Sequence, residues 1–199
     1  MAQNLILASE SASRKAMLSA AGVPFTAIAA HIDETAILQS MQAAGAPPRD
    51  IADALAELKA VKISRSAPGA LVLGGDQMLE CEGRLFEKAR TVAEARETLL
   101  TLRGKKHKLI SAAVIARDGA AIWRHIDDAT LTMRNFSDAF LEEYVAKAGP
   151  ILTSGVGAYE SEGLGLQLFS VIRGDSYTIR GMPLLPILEA LRNYGVIQR

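Results

Sequence analysis

The stretch Leu5-Ile6-Leu7-Ala8-Ser9-Glu10-Ser11-Ala12-Ser13-Arg14-Lys15 decides the fold class. Its opening apolar run, bounded by polar residues, is what a strand buried on both faces of a sheet requires. Ser11 and Ser13 are N-cap candidates, because a short hydroxyl accepts from a backbone N–H that the first helical turn leaves unpaired. Ala16, Met17, Ala20 and Ala21 then recur at helical spacing, and Gly22 can close the helix at positive φ. A strand, a polar turn and a helix in direct succession open an α/β protein.

The same alternation continues outward. Residues 25–30 read as strand. From Pro48, the positions Ile51, Leu55, Leu58 and Val61 mark one helical face that ends before Ser66-Ala67-Pro68-Gly69, and residues 70–74 make a second buried strand. Thr91 and Glu94 form a capping box, and Val92, Ala95, Leu99 and Leu102 carry that helix to Gly104. Residues 109–116 and 121–126 read as strands joined through Asp118-Gly119, a dipeptide suited to a tight hairpin turn. Ser137 caps a helix with Phe140, Leu141, Tyr144, Val145 and Ala148 on its apolar side, stopped by Gly149-Pro150. After a glycine-rich segment at 155–165, Leu166, Leu168 and Val171-Ile172 suggest a strand, and Leu184, Leu188 and Leu191 a last amphipathic helix closed by Gly195. There is no internal repeat and no long linker, so the expectation is one α/β domain over residues 1–199.

The 199 residues carry 22 Lys and Arg against 22 Asp and Glu, a formal charge of zero. That balance argues against a binder of nucleic-acid polymers, whose phosphate contacts demand clustered cations. At 49% hydrophobic, 22% charged and 5% aromatic, the chain is too apolar for disorder and builds its core from aliphatics and alanine. Cys81 is the only cysteine, which excludes an internal disulfide and a zinc site of several thiolates, and points to a reducing cytoplasm. Met1-Ala2-Gln3-Asn4 has no basic segment leading into an apolar one, and no apolar run approaches the roughly 20 residues of a membrane span. An untargeted, cytoplasmic protein without a membrane partner is expected.

Chemistry can gather in two places. The turn from Ser9 to Lys15 brings free backbone N–H groups, hydroxyls and cations to a helix start, which carries about half a positive charge. Arg14 adds a fork matched to phosphate oxygens; ordinary capping with solvated charges accounts for the same residues. Asp76 follows an apolar run and Gly74-Gly75, which sets it at a strand's carboxyl edge, where open α/β sheets place ligands. There it can hold a divalent cation or take a proton from water, or form an Asx-turn. Asp33-Glu34 offers hard oxygens suited to Mg2+ or Mn2+, although most acidic pairs are solvated. Lys59, Lys62 and Lys88 carry no local signal that lifts them above solvent-facing lysines. His31, His107 and His125 lack metal-ligand spacing, which leaves capped or surface positions. Cys81 and Trp123 are expected to pack.

Taken with Asp33-Glu34-Thr35, Gly74-Gly75-Asp76-Gln77, Phe86-Glu87-Lys88 and Gly181-Met182-Pro183-Leu184, the opening stretch resembles the Maf family of nucleotide pyrophosphatases, from about Leu5 to Leu191. The resemblance implies a mixed, twisted sheet flanked by helices, two lobes around a central cleft in the Maf/ITPase-like manner, and commonly a homodimer. It implies an enzyme that uses a divalent metal, Mg2+ or Mn2+, to hydrolyse a nucleoside triphosphate between its α and β phosphates, giving monophosphate and pyrophosphate. By the family pattern Asp76 is the catalytic proton acceptor, Glu34 and Asp76 serve the metal, and Ser9, Arg14, Lys59 and Lys88 surround the triphosphate. The family's usual paired arginines become Ser13-Arg14 here, its Asp-Thr becomes Asp76-Gln77, and its Tyr-Gly-Ile-Gln becomes Tyr159-Glu160-Ser161-Glu162. These departures are similar to the branch that prefers 7-methyl-GTP over dTTP and UTP, which makes Ser13, Gln77 and Glu162 the expected specificity residues. A carboxylate such as Glu162 can pair with the cationic 7-methylguanine ring or accept from its N1–H and N2–H groups. A dTTP or UTP pyrophosphatase, and a nucleotide-binding regulator of cell division and septum formation, are the alternatives.

Overall fold

The computed structural model describes residues 4–199; residues 1–3, on which the reading of the amino terminus rests, lie outside the described residues. β1 (Leu5–Leu7) is buried throughout. α1 (Ala12–Ala20) starts at Ser11, whose hydroxyl accepts from the Arg14 N–H at 3.4 Å, so Ser13 lies inside the helix. β2 (Thr26–Ala27) is shorter than the sequence suggests, because it is an edge strand with both residues exposed. α2 (Glu34–Ala43) follows where no helix is expected: only Leu38 of it is buried, so no apolar stripe announces it. α3 (Pro48–Ser64) begins with the proline that suits a first helical position. Its buried stripe runs through Ile51, Leu55, Lys59 and Ile63, whereas Leu58 is exposed.

β3 (Leu71–Cys81) continues well past Gly74, because Leu79, Glu80 and Cys81 find a partner in β4 (Arg84–Phe86) across a tight turn. α4 (Val92–Leu102) has its capping box: Thr91 accepts from the Glu94 N–H at 3.1 Å, and Glu94 accepts from the Arg90 N–H at 2.8 Å, one residue before the cap. β5 (Lys106–Arg117) and β6 (Ala120–Met133) are joined by Asp118-Gly119, both at positive φ (+51° and +84°), as a two-residue hairpin turn requires. α5 (Asp138–Ala148) is capped by Ser137. Leu166 and Leu168 belong to a 3-10 turn, Gly163–Leu168, so β7 (Phe169–Arg173) starts later than expected. The reason is steric: a Cβ on Gly165 would stand 1.9 Å from the Glu160 carbonyl oxygen, a fold-back that no strand makes. α6 (Ser176–Ile179) and α7 (Leu184–Asn193) close the order.

The strands form one mixed sheet in the order β2-β1-β3-β5-β6-β7, with β4 against β3. β1 pairs in parallel with β2 and β3, while β3–β4 and β6–β7 are antiparallel. The residues cluster into two compact units. The first combines the chain up to Gln77 with 111–127 and 181–199, around Leu5, Leu7, Leu18, Ile51, Leu55, Leu71, Leu73, Ile187 and Leu191. The second combines 78–110 with 128–180 around Leu79, Leu99, Leu131, Leu141, Tyr144 and Leu168. No helix among the described residues is long and apolar enough to cross a membrane.

Candidate functional site

Side chains of a strand alternate between its two faces, and on β3 this separates Gly74 and Asp76 from Gly75 and Gln77. On the first face, a Cβ at Gly74 would lie 2.2 Å from the Ala56 carbonyl oxygen, so α3 rests directly on the bare strand. That close approach delivers Lys59, 7% exposed, to Asp76, 5% exposed: the ammonium Nζ donates to Asp76 Oδ1 at 2.7 Å. The same Nζ lies 3.0 Å from Oε1 of Glu34, the first residue of α2. The acidic pair thus divides its work, with Asp33 capping α2 by accepting from the Ala36 N–H and Glu34 reaching the lysine.

On the other face, the missing side chain of Gly75 leaves room for Arg14, whose Nε would stand 3.3 Å from a Cβ there. Arg14 is buried. Its Nε donates to the Gly181 carbonyl oxygen at 2.9 Å and its Nη1 to Ser9 Oγ at 3.3 Å, and Ser9 Oγ also accepts from the Ser11 N–H at 3.2 Å. Gln77 Nε2 donates to Oγ of Ser111, a fully buried residue of β5, at 3.1 Å. The Gln77 amide oxygen and Arg14 Nη2 both lie 3.7 Å from where a Gly181 side chain would begin. Glycine suits position 181 because its φ of +103° is backbone that other residues rarely adopt.

Burial pushes the Asp76 carboxyl above the ordinary carboxylate range, against the pull of Lys59 and then of Arg14. Burial likewise lowers the Arg14 guanidinium from its ordinary value, and the charges of Asp76 and Glu34 act against that. A carboxyl raised in this direction binds a proton more readily than an exposed carboxylate, which is the direction a general base requires. Two cations on a strand-turn-helix frame with two carboxylates are the makings of a phosphate site with its own proton acceptor.

The donor set also fits a divalent ion. Glu34 and Asp76 share one ammonium, which occupies the position between two hard carboxylates. No three His, Cys, Asp or Glu side chains gather into a cage among the described residues, so an ion held here would complete its shell from water and from substrate oxygens, as Mg2+ commonly does.

The structure brings Ser9, Arg14, Glu34, Lys59, Asp76 and Gln77 together in the first unit, with Ser13 half-buried on α1. Lys88 and Glu162 belong to the second unit, where Lys88 is exposed and Glu162 pairs with Arg180 at 3.2 Å. Three expectations need correction. Asp76 does not end its strand but sits just past the last pairing of β3 with β1, at Leu73. Lys59 is not solvent-facing, because it lies in the buried stripe of α3. His107 is neither a cap nor a surface residue: it is 1% exposed, shares a 2.7 Å hydrogen bond through Nε2 with the Tyr159 hydroxyl, and packs near Phe169. Sequence reasoning missed Ser111, the Gly181 carbonyl and Arg180, none of which carries a local signal. Lys59 did carry one, four positions after Leu55 on a buried face.

The model of the Maf-like protein family matches residues 4–194. The chain is 50% identical over 193 residues to a protein of Rhodospirillum rubrum named nucleoside triphosphate pyrophosphatase, covering 97% of this chain and 96% of that one. It is 50% identical to a protein of the same name from Caulobacter vibrioides, over 96% of each. It is 47% identical to a protein of Rhizobium meliloti named 7-methyl-GTP pyrophosphatase, over 97% of each.

Proposed function

We propose, since the chain belongs to the Maf-like protein family, that its first unit holds the reaction centre of a nucleoside triphosphate pyrophosphatase. The enzyme is a hydrolase that acts on a phosphorus acid anhydride and takes a nucleotide substrate. The observation that carries the assignment of the centre is Lys59, buried and bonded to both Asp76 and Glu34, with Arg14 buried beside the same strand.

In the reaction, water adds to the α phosphorus and the α–β bridging oxygen leaves with pyrophosphate. Asp76 takes the proton that the water gives up. Arg14 and Lys59 oppose the negative charge that gathers on the departing oxygens, Ser9 donates to phosphate, and Lys88 adds a further cation. Glu34 and Asp76 would hold Mg2+ or Mn2+, which supplies charge neutralisation on the triphosphate and a more acidic water.

For the base, we read Ser13, Gln77 and Glu162 as selecting 7-methyl-GTP. The support is their residue chemistry and a 47% identical relative that bears that substrate in its name, although two 50% identical relatives bear the broader one. The test is pyrophosphate release from 7-methyl-GTP, GTP, dTTP, UTP and CTP with Mg2+ or Mn2+, using wild type and Asp76→Asn. Turnover of 7-methyl-GTP above the pyrimidine nucleotides, lost by at least about 10²-fold in Asp76→Asn, is expected. Preference for dTTP or UTP would overturn the base assignment, and binding without cleavage would leave a nucleotide-binding regulator.

A further inference from the structure

We infer that Arg180 sets how far this enzyme separates a cationic from a neutral guanine, because it is the counter-ion of Glu162. The inference rests on the reading that Glu162 meets the base. Arg180 Nη1 lies 3.2 Å from Glu162 Oε1. Each sits in a defined stretch of backbone. Arg180 ends α6, donating its N–H to the Ser176 carbonyl, and Asp175 caps that helix by accepting from the Thr178 N–H at 2.9 Å. Glu162 sits in the bend that Gly165 closes against the Glu160 carbonyl, and the Leu168 carbonyl after it accepts from the Arg134 N–H at 2.9 Å. The two side chains are 29% and 64% exposed, so a ligand can reach the carboxylate. An ion pair this exposed is weak in water, so a ligand can draw on the carboxylate without a large cost.

The consequence for the base is electrostatic. A carboxylate alone attracts the positive ring of 7-methylguanine as a full charge, whereas one already facing a guanidinium presents a nearly neutral pair. The hydrogen bonds from guanine N1–H and N2–H need only oxygen lone pairs, and a carboxylate keeps enough of these beside one arginine. Arg180 therefore weakens the term that distinguishes 7-methyl-GTP from GTP and leaves the term they share. It is a positioning residue, acting through Glu162.

The experiment compares kcat/KM for 7-methyl-GTP and for GTP in wild type, Arg180→Gln, Arg180→Lys, Glu162→Gln and the double variant Arg180→Gln/Glu162→Gln. A ratio of two substrates does not depend on the fraction of folded enzyme. Arg180→Gln is expected to raise the 7-methyl-GTP to GTP ratio about three- to fivefold at low salt, the scale of an exposed pair. Arg180→Lys keeps the wild-type ratio, and Arg180→Gln changes nothing once Glu162 is Gln. An unchanged or lowered ratio in Arg180→Gln, with Glu162→Gln still altering it, overturns the role of Arg180 alone. If Glu162→Gln leaves the ratio at the wild-type value, the assignment of Glu162 to the base falls, and the inference with it.

Discussion

Lys59 stands in register with Ile51, Leu55 and Ile63 on α3 and is about as buried as Ile63. A lysine in such a stripe needs a buried anion, and here it has two carboxylates. Lys59→Met removes their shared cation, so the Asp76 carboxyl, already raised by burial, holds its proton more firmly. We expect kcat/KM to fall by at least about 10²-fold, measured as pyrophosphate release. Arg14→Lys keeps the charge but loses the fork that reaches both Ser9 and Gly181. Its expected effect is a rise in KM of about tenfold, the scale of one charge-assisted hydrogen bond. At this scale residue types were legible and partners were not. Asp76 and Arg14 stood out by chemistry and position, whereas Ser111, Arg180 and the Gly181 carbonyl act through contacts formed across long stretches of chain.

Elements with strong local signals followed the sequence. α4 has its capping box and the β5–β6 hairpin its Asp-Gly turn because the determinants lie within a few residues of each other. α2 escaped notice because burying Leu38 alone leaves no periodicity to read, and β3 ran on because β4 pairs with it, which no apolar count reveals. The contact between α3 and β3 yields a prediction of its own. Gly74→Ala sets a methyl where the Ala56 carbonyl and the Ala60 backbone already stand. The helix must lift, at a cost of about 1–3 kcal/mol, and Lys59 withdraws from Asp76. A lower urea midpoint together with a reduced kcat is expected; loss of one without the other would contradict the coupling.

Across the whole molecule, acid stability should bear the mark of His107. Burial holds its imidazole down to about 4, against about 6.5 for an exposed histidine. Between those values the unfolded chain takes up a proton that the folded chain refuses, so stability falls as pH drops from about 6.5 toward 4. The slope from this group is at most about 1.4 kcal/mol per pH unit. Denaturant unfolding of wild type and His107→Gln at pH 7, 6 and 5 measures it. The variant starts lower, having lost packing with Tyr159 and Phe169, but its stability should decline less steeply; parallel curves would assign the slope elsewhere.

The first unit is composed of three separate lengths of chain, and its last length begins at Gly181, whose carbonyl receives Arg14. A ribosome adds roughly 5–20 residues each second, so the opening strand and helix emerge long before their partner exists. Until residue 181 has been synthesised, a guanidinium that the finished protein buries has no carbonyl to meet. Glu34, Lys59 and Asp76 are all present by residue 76, so the surroundings of Arg14 are the part of the candidate site that waits for the last length of chain. A chain interrupted before that point carries Ser9 and Arg14 without the carbonyl that the guanidinium meets in the finished protein.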